Sequence, residues 1–290
     1  MKVTLVAVEA GAAHACELAN GLEPYCDLTT VYHHKSAYGI DDIHPGLIGT
    51  EHIPKSGDVF ILVGLALWNL FDRNVLRLYK RVVVIIPDGP FMRKKDYFNE
   101  VLKNYDVFTT NCKYQFAEFP VKEYYQPFNI QIPVEKNKEL TVGHSVFVKH
   151  KEREKGSKDI LRIVQETGVN IDFIHNLNWY DNLKRKAKCH IFVDQIDHYD
   201  AHVFGWKGGI GKSGLEAMLL DCLVLSWGKF TGRELPTPPI AWCDKDSFKD
   251  VLTYYIENPT EREEKIKAQK EWALKYLNPD FCAKRILQIT

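Results

Sequence analysis

The sequence predicts an α/β protein: two Rossmann-like domains facing a cleft. Three observations lead there. Short β-rich runs alternate with helical patterns along all 290 residues. Some runs are apolar throughout, Val82-Val83-Val84-Ile85-Ile86 above all, as parallel strands covered on both faces require. The rhythm breaks at residues 126–140, where Pro127 and Pro133 precede the charged stretch Glu135-Lys136-Asn137-Lys138-Glu139 and a fresh strand begins at Thr141. That seam predicts an N-terminal domain over residues 1–135 and a C-terminal domain over residues 136–290, with the last helix a candidate to pack back on the first domain.

Taken in order, strands are expected at residues 3–8, 26–32, 58–63, 82–86, 106–110 and 124–128. A second set follows at 141–148, 170–174, 190–195, 223–226 and 239–242. Gly11-Ala12-Ala13-His14 follows the first strand and opens a helix. Ser157 starts another, with Ile160, Ile163 and Val164 on one face and Gly168 as its stop. The glycine-rich run from Gly205 leads into a short amphipathic helix with Glu216 in its first turn, then into a buried strand. Asp246 is expected to cap a short helix. Thr260-x-x-Glu263 fits a capping box after Pro259, for a helix carrying Ile266, Trp272, Ala273 and Tyr276 that stops at Asn278-Pro279. Asp280 then caps one last helix through Ile286.

Composition narrows the function classes. The hydrophobic share of 45% and charged share of 26% are those of a globular protein, and Lys+Arg balance Asp+Glu at 38 each. Bulk charge therefore demands neither a nucleic-acid nor a membrane partner. Cysteines at 16, 26, 112, 189, 222, 243 and 282 form no C-x-x-C pair and no zinc spacing, so reduced, packed thiols are expected. Met1-Lys2-Val3-Thr4-Leu5-Val6-Ala7-Val8 is too short and too β-branched for a signal segment, and no run reaches the ~18 apolar residues of a membrane span. The expected location is cytoplasmic.

Gly209-Ile210-Gly211-Lys212-Ser213-Gly214 matches G-x-G-x-x-G. A dinucleotide site needs a strand directly before it and an acidic residue about 20 positions later, and neither is present. A P-loop needs glycine at 206, which is Trp206. What remains is a phosphate cradle at a helix start, built from Gly209, Gly211, Ser213, Gly214 and Leu215, or a plain turn. Glu216 is read either as a carboxylate complementing the helix dipole or as an acceptor for two ribose hydroxyls. The loop Lys149-His150-Lys151-Glu152-Arg153-Glu154-Lys155-Gly156-Ser157 lies at a strand carboxyl end, where doubly wound domains bind ligands, so Lys149, Arg153 and Lys155 can face the same crevice. Gly11, His14 and Asp88, in Pro87-Asp88-Gly89-Pro90, hold similar positions in the first half and are acceptor-side candidates, with turn chemistry as the alternative. Asp194, Asp197, His198, Asp200 and His202 cluster in sequence, but their spacing matches no established metal pattern, so no metal is expected. Asp244-Lys245-Asp246 is a D-x-D on a capping position, and His33-His34 lacks a motif partner.

Together Val142-Gly143-His144-Ser145, Lys155-Gly156-Ser157, Phe192-Val193-Asp194-Gln195, Gly205-Trp206 with Gly208-Gly209, and Leu215-Glu216-Ala217-Met218 resemble the C-terminal half of GT-B glycosyltransferases, nearest the retaining family-4 group, over about residues 141–228. The first half is similar only in its strand–helix rhythm. The resemblance implies a nucleoside-diphosphate sugar held by the second domain, an acceptor held by the first, and metal-independent transfer to a hydroxyl with no further cofactor. It implies that Lys155 and a nearby basic residue meet the pyrophosphate, that the backbone of residues 213–215 caps it, and that Glu216 holds the ribose, with Lys155, Glu216 and Asp88 as the catalytic candidates. Two departures stand out: the first Glu of the family's E-x7-E is Gly208 here, and the arginine before the Lys-Gly pair has no clean counterpart among Lys149, Lys151 and Arg153. The acceptor is read as a saccharide, a lipid-linked glycan or a hydroxymethylated base in duplex DNA. For DNA, Lys80-Arg81, Arg93-Lys94-Lys95 and Lys184-Arg185-Lys186 are candidate phosphate contacts. The alternative, motivated by Gly208, is a catalytically degenerate protein that binds a nucleotide or a partner.

Overall fold

The computed structural model describes residues 1–7, 12–32, 47–49, 53–64, 73–86, 95–109, 119–146, 155–197, 208–228 and 234–289. They form two units, one of Met1–Asn129 with Arg233–Leu235 and Tyr276–Thr290, the other of Ile130–Gly232 with Pro236–Lys275. The expected boundary at 135/136 thus falls inside the second unit, and the last helix belongs to the first.

Seven strands build the sheet of the first unit: β1 (Lys2–Ala7), β2 (Asp27–Tyr32), β3 (Leu47–Gly49), β4 (Gly57–Val63), β5 (Tyr79–Ile86), β6 (Asp106–Thr109) and β7 (Val121–Glu123). They lie in the order β3-β2-β1-β4-β5-β6-β7, every pair parallel. Continuous burial of the Val82–Ile86 run is what the apolar sequence required. Among the described residues this unit holds the helices α1 (Ala12–Leu22), α2 (Lys95–Leu102) between β5 and β6, and α8 (Pro279–Leu287). Leu5, Ala7, Val83, Ile85 and Phe108 pack in one core with residues of α1 and α8. Those two helices meet at Gly21, where an added Cβ would stand 2.2 Å from the Pro279 carbonyl oxygen, so only glycine allows this approach.

The structure departs from the sequence reading of this unit in three places. β3 lies where the sequence predicts no strand. The strand expected at 124–128 is instead β7, ending at Glu123, while Tyr124, Tyr125 and Phe128 are buried beyond it. Pro127 has no N–H to give a ladder, so burial there proceeds without strand pairing. Asn278, not Asp280, caps α8, accepting from the N–H groups of Asp280 and Phe281 at 2.8 and 3.4 Å. Asp280 occupies the first turn instead.

The second unit holds β8 (Thr141–Ser145), β9 (Asn170–Ile174), β10 (Ile191–Val193), β11 (Leu223–Trp227) and β12 (Ala241–Cys243), parallel in the order β12-β11-β10-β8-β9. Among the described residues its helices are α3 (Ser157–Glu166), α4 (Trp179–Lys186), α5 (Lys212–Leu219), α6 (Phe248–Glu257) and α7 (Pro259–Tyr276). Ile160, Ile163 and Val164, the predicted apolar face of α3, pack with Val142, Ile191, Val193, Leu223, Leu225, Phe248 and Leu252. Such side chains contribute about 1.5–3 kcal/mol each when fully buried.

Two helix starts also move. Pro259 takes the first position of α7, so Thr260 lies inside the helix rather than capping it. α6 begins at Phe248, and the side-chain bonds before it come from Asp244, whose Oδ1 accepts from the Ser247 N–H at 2.8 Å and hydroxyl at 2.7 Å. Those bonds hold the Asp244 carboxyl below its ordinary value, and Asp246 has no capping role. Cys16, Cys26, Cys189, Cys222, Cys243 and Cys282 are free thiols, and Cys112 lies outside the described residues. Burial pushes Cys189 and Cys243 each up to about 12. Among the described residues, no helix is long and apolar enough to cross a membrane.

Candidate functional site

In the second sheet β8 and β10 are neighbours, although β9 lies between them in sequence. The connections leaving two such strands run to opposite faces of the sheet, which opens a crevice at their carboxyl ends. Lys155 follows β8 and precedes α3; Asp194 directly follows β10. The sheet thereby brings the two side chains together from positions 39 residues apart.

Asp194 is fully buried. Its Oδ1 accepts from Lys155 Nζ at 3.0 Å and its Oδ2 from the Gly211 N–H at 2.5 Å, with Ser226 Oγ 3.3 Å from Oδ2. Burial alone would raise this carboxyl, but the Lys155 ammonium and the Gly211 N–H outweigh it and hold the group below its ordinary value. Lys155 itself keeps 21% of its side chain exposed.

The glycines serve this arrangement. Gly156 caps α3 at φ 72°, where a Cβ would also meet Ile196 Cγ1 at 2.8 Å, while Ile196 donates its N–H to the Lys155 carbonyl at 3.2 Å. Gly211 caps α5, and a Cβ there would approach Asp194 Oδ1 to 3.0 Å. A Cβ on Gly214 would press on Ile210 at 2.8 Å. The Cβ directions of Gly211 and Gly214 are thus filled by the protein's own Asp194 and Ile210. Gly209 donates to the Trp227 carbonyl at 3.1 Å, and its own carbonyl accepts from Ser226 Oγ at 2.7 Å and Gln195 Nε2 at 3.2 Å. Gly214 and Leu215 both donate their N–H groups to the Gly211 carbonyl, at 3.1 and 3.2 Å. The N–H groups that α5 leaves outside its own ladder are then those of Lys212 and Ser213.

Glu216 lies in the second turn of α5, not the first, because the helix begins at Lys212. It is 2% exposed and both oxygens are engaged. Oε1 accepts from Trp179 Nε1 at 2.7 Å, and Oε2 from Lys186 Nζ at 2.5 Å, with Lys212 Nζ 3.8 Å from Oε1. Burial would raise this carboxyl; Lys186 and then Lys212 bring it below its ordinary value. Lys186, only 1% exposed, also reaches Ser213 Oγ at 3.3 Å and sits 5.3 Å from the centre of the Phe192 ring.

Beside Lys155, the buried His144 of β8 stands 2.7 Å from the Val193 carbonyl through Nδ1 and 2.7 Å from Ser157 Oγ through Nε2. A carbonyl only accepts, so the proton sits on Nδ1 and Ser157 donates to Nε2. Burial, then the Lys155 charge, lowers this histidine to about 4. The folded protein therefore refuses a proton that the unfolded chain takes up between the ordinary 6.5 and about 4. Its contribution to stability is complete above the ordinary value and shrinks as the pH falls through that window, by on the order of 3 kcal/mol in total. His144→Asn keeps an N–H for Val193 and removes the titration. Urea denaturation at about pH 7 and about pH 5 is expected to show a larger loss for the wild type than for this variant, and equal losses would contradict it.

Asp88, Lys149, Arg153 and Gly11 lie outside the described residues, as do His33, His34, His198, Asp200 and His202. His14 is described and is 2% exposed. Its Nε2 is 2.8 Å from the Tyr124 hydroxyl and the two rings stack with centroids 5.3 Å apart, so α1 turns it into the core rather than toward an acceptor. The basic runs are also altered. Lys186 is buried on Glu216, Arg185 pairs with Asp172, Lys80 with Asp58 at 2.7 Å and Arg81 with Asp106 at 2.6 Å. Lys186 thus presents nothing to a DNA phosphate. Among the described residues, no group of three His, Cys, Asp or Glu side chains could hold a metal ion.

Sequence reasoning did not assign Asp194 its place between Lys155 and the glycine loop, nor Lys186, Trp179 and Ser226 theirs. A signal existed for Lys186: it lies three residues after buried Leu183 and beside buried Ala187, on the apolar face of α4.

No protein-family model matches the chain, and no curated protein matches it. Solved structures do. Anabaena Alr3699/HepE in complex with UDP-glucose is similar over 99% of this chain and 98% of its own, with a TM-score of 0.70 at 12% identity. AviGT4, a glycosyltransferase involved in avilamycin A biosynthesis, is similar over 99% and 96%, with a TM-score of 0.60 at 12% identity. A UDP-N-acetylglucosamine 2-epimerase is similar over 99% and 94%, with a TM-score of 0.53 at 13% identity. At these identities the likeness is one of architecture. The chain is an α/β protein of two parallel-sheet domains, the arrangement of its GT-B neighbours.

Proposed function

We propose that the protein is a glycosyltransferase that binds a nucleoside-diphosphate sugar in its second unit and moves the sugar to a hydroxyl acceptor. The observation that carries this is the junction at Asp194, where one buried carboxylate holds both the Lys155 ammonium and the start of α5 at the β8/β10 switch point. The neighbours support it. HepE occurs in complex with UDP and with UDP-glucose, and the spinosyn rhamnosyltransferase SpnG with thymidine diphosphate.

The difficult step is departure of the nucleoside diphosphate, as negative charge grows on its outer phosphate. A lysine already oriented by Asp194, and the N–H groups opening α5, lower that barrier without reorganising. This supply of positive charge is the basis for reading the reaction as metal-independent. A ribose hydroxyl reaching Glu216 would share Oε1 with Trp179, so Glu216 is assigned first to holding the loop. Gly11 and Asp88 follow β1 and β5 in the chain and remain the acceptor-side candidates, Asp88 as the base that takes the hydroxyl proton.

The test is a thermal-shift series with UDP, other nucleoside diphosphates and their sugars. A ligand present at ~100 times its Kd adds about 2.7 kcal/mol, a rise of roughly 4 °C in a protein of this size. Labelled donor sugar is then expected to pass to a hydroxyl compound with release of nucleoside diphosphate, and EDTA is expected to leave that rate unchanged. No shift with any of these ligands would remove the reading. Loss of activity with EDTA would remove only its metal independence.

A further inference from the structure

Lys186 belongs to α4, outside every glycine-rich or basic loop that marks the site, yet it is 1% exposed and lies against the first two turns of α5. An ammonium has three N–H donors and no acceptor. Its partners are Glu216 Oε2 at 2.5 Å and Ser213 Oγ at 3.3 Å, over the Phe192 ring at 5.3 Å. Toward Lys186, therefore, Ser213 can only accept. The serine's own hydrogen is then left to donate elsewhere.

Ser213 is the second residue of α5, and it is half-buried. Its N–H is one of the two that the helix ladder leaves out, and Gly211, two residues earlier, is bonded to Asp194 and through it to Lys155. We propose that Lys186 is a positioning residue that commits the Ser213 hydroxyl to donating, making Ser213 an anion-directed donor at the start of α5. The proposal rests on the diphosphate-binding reading above and deepens it. Glu216 serves as the counter-ion that allows a buried lysine at this place. With an apolar side chain at 186 the Ser213 hydroxyl still turns its hydrogen to the anion, but without an N–H on its oxygen to polarise it, and the bond is weaker.

The experiment compares affinities for UDP and for inorganic pyrophosphate, by calorimetry, in the wild type and a set of variants. Pyrophosphate has no ribose, so a direct role of Glu216 toward a sugar hydroxyl does not enter. Because Lys186→Met alone strands Glu216 and can fail to fold, the donor is removed in an apolar pair, Lys186→Met with Glu216→Leu. In the wild type Ser213→Ala is expected to weaken both ligands about tenfold, one charge-assisted hydrogen bond. The apolar pair is expected to weaken both by about two- to threefold, the loss of the polarisation that Lys186 gives the Ser213 O–H. Adding Ser213→Ala to it is expected to cost less than in the wild type, about three- to fivefold, because the hydroxyl still donates but through a weaker, unpolarised bond. Lys186→Gln with Glu216→Gln, which restores an N–H donor toward Ser213, is expected to recover the wild-type affinity and the full cost of Ser213→Ala. A Ser213→Ala cost that is the same in every background overturns the role of Lys186 and leaves diphosphate binding standing. A wild type that binds neither ligand overturns the function itself, and this role with it.

Discussion

Glu216→Ala is expected to be strongly destabilising to the second unit. The carboxylate is fully engaged and its main partner, Lys186, is 1% exposed. Removing it leaves an ammonium with no counter-charge and little access to water, a situation that typically costs about 3–5 kcal/mol. Whole domains are stable by only about 5–15 kcal/mol, so the variant is expected to lose a large part of that margin and to melt well below the wild type. The comparison that separates charge from packing is Lys186→Met with Glu216→Leu. Two apolar side chains of similar volume avoid the desolvation of both ions, and such exchanges are commonly neutral or stabilising by about 1–4 kcal/mol. Urea denaturation, followed by circular dichroism, measures both. A Glu216→Ala loss below about 1 kcal/mol would mean that the pair is hydrated and worth no more than a surface contact.

The second large effect concerns Lys155, whose removal does two things at once. It deletes the charge expected to face the diphosphate, and it strands Asp194, which has no exposure of its own. Lys155→Ala alone is therefore expected both to lower the melting temperature and to abolish nucleotide binding, and cannot show which loss matters. Lys155→Met with Asp194→Asn separates them. The substituted amide keeps an oxygen for the Gly211 N–H while dropping the charge that needed Lys155. This double variant is expected to melt near the wild type and still to bind UDP at least about tenfold more weakly. Wild-type UDP affinity in a folded double variant would remove Lys155 from the site. The acid side offers a further check. The Asp194 carboxyl is lower in the folded protein than in the unfolded chain, so its contribution is complete above the ordinary carboxylate range and is lost as the pH falls through the folded value.

Periodicity and composition carried the reading of the layers. Val82–Ile86, the apolar face at Ile160, Ile163 and Val164, and the glycine that ends α3 are local signals, decided by neighbours a few residues away. The same local signals misplaced Asp246, Thr260 and Asp280, since several side chains near a helix start compete for one capping position and packing selects among them. Tyr124 and Phe128 read as strand because their burial resembles one, while pairing is set by the neighbouring strand and by Pro127.

By itself, the chain's pattern determined the α/β alternation, the parallel character of the strands and the glycine-rich helix start that draws attention to residues 208–216. Tertiary structure alone decided who meets there. Asp194 with Lys155, and Lys186 with Glu216, lie 39 and 30 residues apart, and nothing in either neighbourhood names its partner. The order of strands β8 and β10 makes the first pair and the packing of α4 on α5 makes the second. In each, a charge leaves water only because the opposite charge is already in place to receive it.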